Sequence, residues 1–308
     1  MKNLLRIRTT IEAKQTKSLL SYLALGVGTL SLSLSAMFVR WADAPGTVTG
    51  FYRLFIATII IFPFFLKRNI PIGHLTWSKI LPPILGGMCM AGTFSLWNTS
   101  LFYTNVASAA MIGNISPLWV SIAAWWLLRE RLQSQFWIGL LVLFLGISLI
   151  MGGNFFLHPR LGIGDLMAAG SSFFYAAYIL ITQWGRKRLD SLSLVWINGA
   201  SACLWMLLVV ILFKQPLVGF SQQTWIVFFS ATIITQIIGY MAISYSLGNL
   251  PASVVSPSLN LQPVVTIILA IPLLNEVPST LQVIGSLLTL GGVYIINYAH
   301  QQNNAALP

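Results

Sequence analysis

Apolar residues fill this chain in ten runs, separated by short stretches that carry charge, Pro or Gly. The first uncharged run extends from Ser18 to Val39, and the others lie near 45–66, 80–103, 105–128, 134–152, 164–184, 191–213, 223–247, 251–274 and 280–298. Each approaches the roughly 20 residues that a helix needs to cross the hydrocarbon of a bilayer. A segment in lipid must satisfy its own backbone polar groups, so the spanning elements predicted are helices. The pattern predicts an all-α membrane protein of ten transmembrane helices. A basic tail over residues 1–17 precedes them, and the polar stretch "HQQNNAALP" over 299–308 is expected to fray. The Ser18–Val39 run is longer than the roughly 7–15 apolar residues of a secretory signal, so it is read as the first membrane helix.

Composition agrees with that pattern. Of 308 residues, 56% are hydrophobic and 7% charged, against roughly 25% charged for a soluble domain. The 17 Lys+Arg against 6 Asp+Glu give +11, a balance that in a soluble domain would suggest nucleic acid. Here the basic residues have a simpler explanation in their placement. If the N-terminus is cytoplasmic, thirteen fall inside: Lys2, Arg6, Arg8, Lys14, Lys17, Lys67, Arg68, Lys79, Arg129, Arg131, Arg186, Lys187 and Arg188. Three fall outside, Arg40, Arg160 and Lys214, while Arg53 lies within a helix. This bias predicts that both termini are cytoplasmic, with a bacterial inner membrane as the expected location and no nucleic-acid partner. Cys89 and Cys203 sit in apolar runs and read as small core residues. His74, His158 and His300 fall in expected loops or the tail, and no metal-binding spacing or cofactor motif is present.

An internal repeat carries the functional argument. Residues 114–150 align without a gap on 260–296 at an offset of 146, with 12 identities in 37 positions. Five identities are not aliphatic: Asn114/Asn260, Pro117/Pro263, Glu130/Glu276, Gly139/Gly285 and Gly146/Gly292. With five helices per unit (18–152 and 164–298), the second unit must enter the membrane from the opposite side. Inverted repeats of this kind give a transporter two related open arrangements around one central site.

The segment "SYSLGNLPASVVSPSLNLQPVVTIILAIPLLNEVPSTLQVIGSLLTLGGVYII" and its partner "NISPLWVSIAAWWLLRERLQSQFWIGLLVLFLGISLI" resemble the twin EamA-type units of the drug/metabolite transporter superfamily. Each has a mid-helix Pro, a Glu after the fourth helix and Gly residues in the fifth. "FYRLFIATIII" and "GIGDLMAAGSSFFYAAYIL" are similar to the family's second and sixth helices, and the resemblance covers residues 18–298. "LNEVPS" departs from it in lacking a basic residue beside Glu276. The resemblance implies an exporter or exchanger of small metabolites. Its cavity would be lined mainly by the first four helices of each unit, with the fifth and tenth helices peripheral.

Several residues are candidates for that cavity. Pro117 and Pro263 each lie about 12 residues into a helix, roughly 18 Å along it, where an interior Pro removes a hydrogen bond and bends the axis. Such bends either gate the cavity or are static kinks. Asn114 and Asn260 precede each Pro by three residues and either bind solute or tie helices together. Arg53 lies about eight residues inside the second helix; a central Arg costs about 2.5–3.5 kcal/mol even on lenient scales, so it should face protein. It is an anchor for a carboxylate or phosphate, a tie to helix carbonyls or Asp43, or a snorkelling side chain. Its counterpart in the second unit is near Asn198. Phe94, Trp97, Trp119, Tyr175, Tyr178, Gln236, Tyr240 and Gln262 complete the set, as aromatic and amide groups that stack on and hydrogen-bond a small solute or simply pack. Glu130 is expected to favour the N-terminal dipole of the fifth helix. The small residues Ala168, Ser172 and Ala176, like the four repeated glycines, are expected at helix contacts.

Two rival classes differ from a carrier. "GIGD" at Gly162–Asp165 resembles an intramembrane aspartyl protease motif, but that chemistry needs two carboxylates in one site. Asp43 and Asp190 are predicted on opposite sides of the membrane, which disfavours an enzyme. A passive channel is the remaining alternative. The expected function is alternating-access export or exchange of a small polar metabolite, an amino acid or a related compound.

Overall fold

The computed structural model describes residues 2–68, 76–104, 106–151, 162–274 and 277–305. The first passage is α1 (Lys2–Ser33) and α2 (Ser35–Trp41), followed by α3 (Gly46–Leu66) and α4 (Trp77–Ser100). The fourth is divided into α5 (Val106–Gly113) and α6 (Ser116–Trp126), and α7 (Ser134–Met151) is the fifth. The second unit begins with α8 (Ile163–Arg186) and α9 (Ser191–Leu212). Its eighth passage joins α10 (Gln222–Ala231), a π-helical stretch (Thr232–Gly239) and α11 (Tyr240–Leu247). The ninth is divided again, into α12 (Ala252–Leu259) and α13 (Gln262–Leu274), and α14 (Thr280–Ala305) is the tenth.

Nine stretches among the described residues are long and apolar enough to cross a membrane. The remaining passage, α5–α6, consists of helices of 8 and 11 residues. Large apolar side chains such as Leu23, Phe64, Leu141, Leu204 and Leu208 point outwards, the side-chain placement that a lipid surround requires.

The orientation of the two units is visible where α7 meets α14. A Cβ on Gly146 would stand 2.6 Å from the Gly285 carbonyl, and one on Gly292 would stand 2.7 Å from the Gly139 carbonyl. Pairing 139 with 292 and 146 with 285 means that the helices run antiparallel. Because Gly139 repeats as Gly285 and Gly146 as Gly292, a two-fold rotation exchanges the two contacts. The units are therefore inverted copies, and small residues let their fifth helices touch backbone to backbone.

Polar ties mark the two faces of the bundle. On one, Arg188 donates to the Ser78 carbonyl at 2.7 Å, and the Ser253 hydroxyl donates to Glu130 at 2.6 Å. On the other, the Thr104 hydroxyl donates to Asp165 at 2.7 Å, and the Tyr52 hydroxyl donates to the Leu217 carbonyl. These are called the Glu130 face and the Asp165 face below.

The tenth helix continues to Ala305 and so takes in residues 299–305, and His300 is helical and half-buried. Polar side chains do not end a helix that has emerged from hydrocarbon. Glu130 does not serve the start of α7; its carboxylate is held by Ser253 of the ninth passage, 123 positions away. Its repeat mate Glu276, and also His74, His158 and Arg160, lie outside the described residues.

Candidate functional site

The Asn–Pro pairs interrupt their helices instead of bending them. The ladder closes early at each: Ile115 N–H donates to Ile112 O and Leu261 N–H to Ser258 O, both i→i−3 bonds at 3.1 Å. Pro117 and Pro263 then occupy the second position of α6 and α13. In a first helical turn, Pro forfeits no helical hydrogen bond, so the bend expected from a helix-interior Pro becomes a restart. Each break lies eight helical residues, about 12 Å, from its own face: α5 is counted from the Asp165 face and α12 from the Glu130 face.

The repeat-related asparagines connect the breaks. Asn260 donates from its amide to the Asn114 carbonyl at 2.8 Å, and Asn114 donates from its amide to Ala110 O at 2.7 Å. The Asn260 amide thereby satisfies the Asn114 carbonyl freed where α5 ends, while Ala110 O accepts from both the backbone and the side chain of Asn114.

A cavity of about 240 Å³ opens beside this junction. At about 30 Å³ per water, it has the capacity of about eight waters or one small solute. Eight of the twelve candidates line it: Arg53, Phe94, Trp97, Asn114, Tyr175, Tyr240, Asn260 and Gln262. Arg53 is 4% exposed and donates to the Ser35 hydroxyl at 2.9 Å, with its guanidinium carbon 6.0 Å from the centre of the Phe94 ring. It neither snorkels nor reaches Asp43, which is exposed at the start of the second passage.

The other four candidates lie elsewhere. Trp119 donates to the Ser172 hydroxyl at 3.0 Å and packs edge-on to Phe173. Tyr178 is buried behind the lining, stacked on Tyr175 and edge-on to Tyr240. Asn198 abuts Gly86, where a Cβ would stand 2.5 Å from the amide nitrogen. Gln236 is buried in the π-helical stretch, its carbonyl oxygen without a partner. Pro117 and Pro263 are likewise absent from the lining.

Leu32, Ser35, Thr93, Gly113, Ser116 and Ser171 also line the cavity and were not anticipated. Spacing held a signal for two of them. Thr93 is four residues before Trp97, and Ser171 four before Tyr175, hence on the same helical faces; the Ser171 hydroxyl donates to the Thr93 carbonyl at 3.1 Å. Ser35 carried no such signal, because the break at Leu34 that turns it towards Arg53 has no Pro or Gly.

The protease-like Asp165 is occupied structurally. Its two oxygens accept from Gly162 N–H at 2.8 Å and the Thr104 hydroxyl at 2.7 Å, capping α8. No cluster of three or more His, Cys, Asp or Glu suited to a metal occurs among the described residues.

The chain matches the EamA-like transporter family twice, over residues 19–152 and 162–298. An "Uncharacterized transporter" of Archaeoglobus fulgidus is 25% identical over 260 residues, covering 82% of this chain and 88% of that one. The "Uncharacterized inner membrane transporter YhbE" of Escherichia coli is 23% identical over 266 residues, 79% of each chain. A solved crystal structure of a protein superposes with a TM-score of 0.74 at 19% identity, covering 94% of this chain and 98% of that chain, which supports the fold. With both repeats matched and their inverted packing visible at α7 and α14, this chain belongs to the EamA-like transporter family: it is a multi-pass membrane transporter.

Proposed function

We propose that the protein is an alternating-access carrier that exports or exchanges a small polar metabolite, an amino acid or a related compound, through the cavity between its repeats. The observation that carries this reading is the meeting of two inverted, broken helices at one cavity lined by hydrogen-bonding side chains. Broken helices at a repeat interface are where such carriers bind solute and pivot. The solute leaves chemically unchanged. The described acidic side chains, Asp43, Glu130, Asp165 and Asp190, stand at helix ends and outside the cavity lining, so coupling through a carboxylate at mid-depth plays no part in this reading.

The bias of thirteen basic residues to three places the Glu130 face and both termini in the cytoplasm under this proposal. Kinship with the Escherichia coli inner membrane transporter favours a bacterial cytoplasmic membrane. A thermal-shift screen of amino acids, nucleosides and sugar phosphates would identify ligands, since a ligand stabilises the state it binds. Counterflow of the labelled hit in proteoliposomes then tests transport. Saturable flux with transient accumulation against unlabelled internal solute is expected. Linear, non-saturating flux without counterflow would replace the carrier with a channel.

A further inference from the structure

We propose that the solute docks an oxyanion, carboxylate or phosphate, on Arg53, and that the carrier changes sides only with that anion aboard, which makes it an obligate exchanger. This rests on the alternating-access reading above. Arg53 is a charge without a counter-charge: one terminal nitrogen donates to Ser35, and the buried Nε has no partner. Among the described residues the cavity lining holds no Asp or Glu and no basic residue besides Arg53. The site therefore carries a single positive charge in an environment that strongly penalises one.

The broken helices add to that potential. Ser116 and Gln262, the first residues of α6 and α13, both line the cavity, and helix N-termini attract anions. Several opposing carbonyls at the ends of α5 and α12 are already engaged. Ala110 O and Asn114 O accept from the asparagine amides, and Pro257 O and Ser258 O accept from Asn260 and Leu261 N–H. The solute faces a guanidinium and two positive helix ends, alongside Gly113, Asn114 and Asn260 where α5 and α12 end. An amino acid qualifies through its carboxylate; a solute without an oxyanion leaves Arg53 uncompensated.

Exchange follows from the closing step. While the cavity is open, water solvates Arg53. Closure around a bound oxyanion buries the guanidinium with a hydrogen-bonded counter-charge, whereas closure of an empty cavity buries a bare cation. Return of the empty carrier is therefore the forbidden step.

Detergent-purified protein is tested by thermal shift with inorganic phosphate, glycerol 3-phosphate, lactate and L-phenylalanine. The neutral or cationic counterparts are glycerol, lactamide and L-phenylalaninamide. At least one oxyanion should stabilise the wild type while its counterpart does not, and Arg53→Gln should weaken that ligand about ten- to a hundredfold. Arg53→Lys, which keeps the charge but loses the fork, should fall between. Without ligand, Arg53→Gln should melt no lower than the wild type, because it removes an uncompensated cation; a structural strut would give a clear fall.

The labelled best binder is then offered to vesicles holding either the same compound unlabelled or sucrose. Uptake should be confined to the preloaded vesicles. Equal stabilisation by oxyanions and their counterparts, or no oxyanion that stabilises the wild type more than Arg53→Gln, overturns anion docking. Equal saturable uptake into both vesicle types overturns obligate exchange and leaves the carrier reading intact. Non-saturating uptake without counterflow overturns the carrier reading itself.

Discussion

The fifth and tenth helices repeat each other at their contact, whereas the walls of the cavity, the Asn114 and Asn260 pair apart, differ between the units. Gly139 and Gly146 meet Gly292 and Gly285 in two contacts that one rotation exchanges. Around the cavity, Arg53 of the first unit corresponds to the neighbourhood of Asn198, which packs against Gly86 instead. The third passage is an unbroken α-helix, while the eighth contains eight π-helical residues. Short π-helical segments concentrate at functional sites because they disturb an otherwise regular ladder. Repeated glycines thus hold the two units together, while the cavity is lined by residues that, Asn114 and Asn260 apart, differ between the units.

The largest expected effect tests the symmetric contact with neighbouring glycines as controls. Any side chain at Gly292 meets backbone, with a Cβ 2.5 Å from Leu143 N, whereas nothing stands within 4 Å at Gly291. Gly292→Ala is expected to lose most folded, monodisperse protein on size exclusion. Gly291→Ala should gain about 0.5–1 kcal/mol from helix propensity, visible as a higher melting temperature. Equal behaviour of the two variants would break the account of the α7–α14 contact.

A smaller effect distinguishes how the units start their second helices. Asp190 caps α9, accepting from Leu192 N–H at 3.0 Å and Ser193 N–H at 3.2 Å, while Pro45 before α3 offers no side-chain cap. Burial pushes the Asp190 carboxyl up, but the Ser193 and Leu192 hydrogen bonds and nearby Arg68 together hold it below its ordinary value. A depressed carboxyl stabilises the fold above its unfolded value and loses that contribution as pH falls through the folded one. Asp190→Ala should cost about 0.5–2 kcal/mol near neutral pH, with the difference from wild type shrinking in acid. A pH-independent difference in melting temperature would contradict the cap.

The smallest expected difference lies at the breaks. Asn260 bonds across the units and Asn114 within its own helix. Asn260→Ala should therefore destabilise more than Asn114→Ala, by about 0.6 kcal/mol on the scale of interhelical bonds in membranes. The reverse order in melting temperature would show that the junction is held by other contacts.

Much of the fold was legible because hydrocarbon thickness imposes run lengths, and because 114–150 repeat at a constant offset. The breaks were harder to read: the local sequence around a Pro is the same whether it bends a helix or opens a new one. Trp119 and Tyr178 show a second limit. Depth can be counted from a helix end, but the rotation of a helix that is apolar on most sides is fixed only by its neighbours. Glu130 shows a third, since its hydroxyl partner Ser253 lies in the other repeat.

Side-specific labelling tests inversion most directly. In a background with Cys89 and Cys203 replaced by Ala, single variants Arg68→Cys, Lys187→Cys, Asp43→Cys and Lys214→Cys would be exposed in turn to a membrane-impermeant maleimide from each side. The account expects cysteines at 68 and 187 to react from one side and those at 43 and 214 only from the other. Reaction of positions 68 and 187 from opposite sides would contradict the inverted pair of units, and with it the shared cavity.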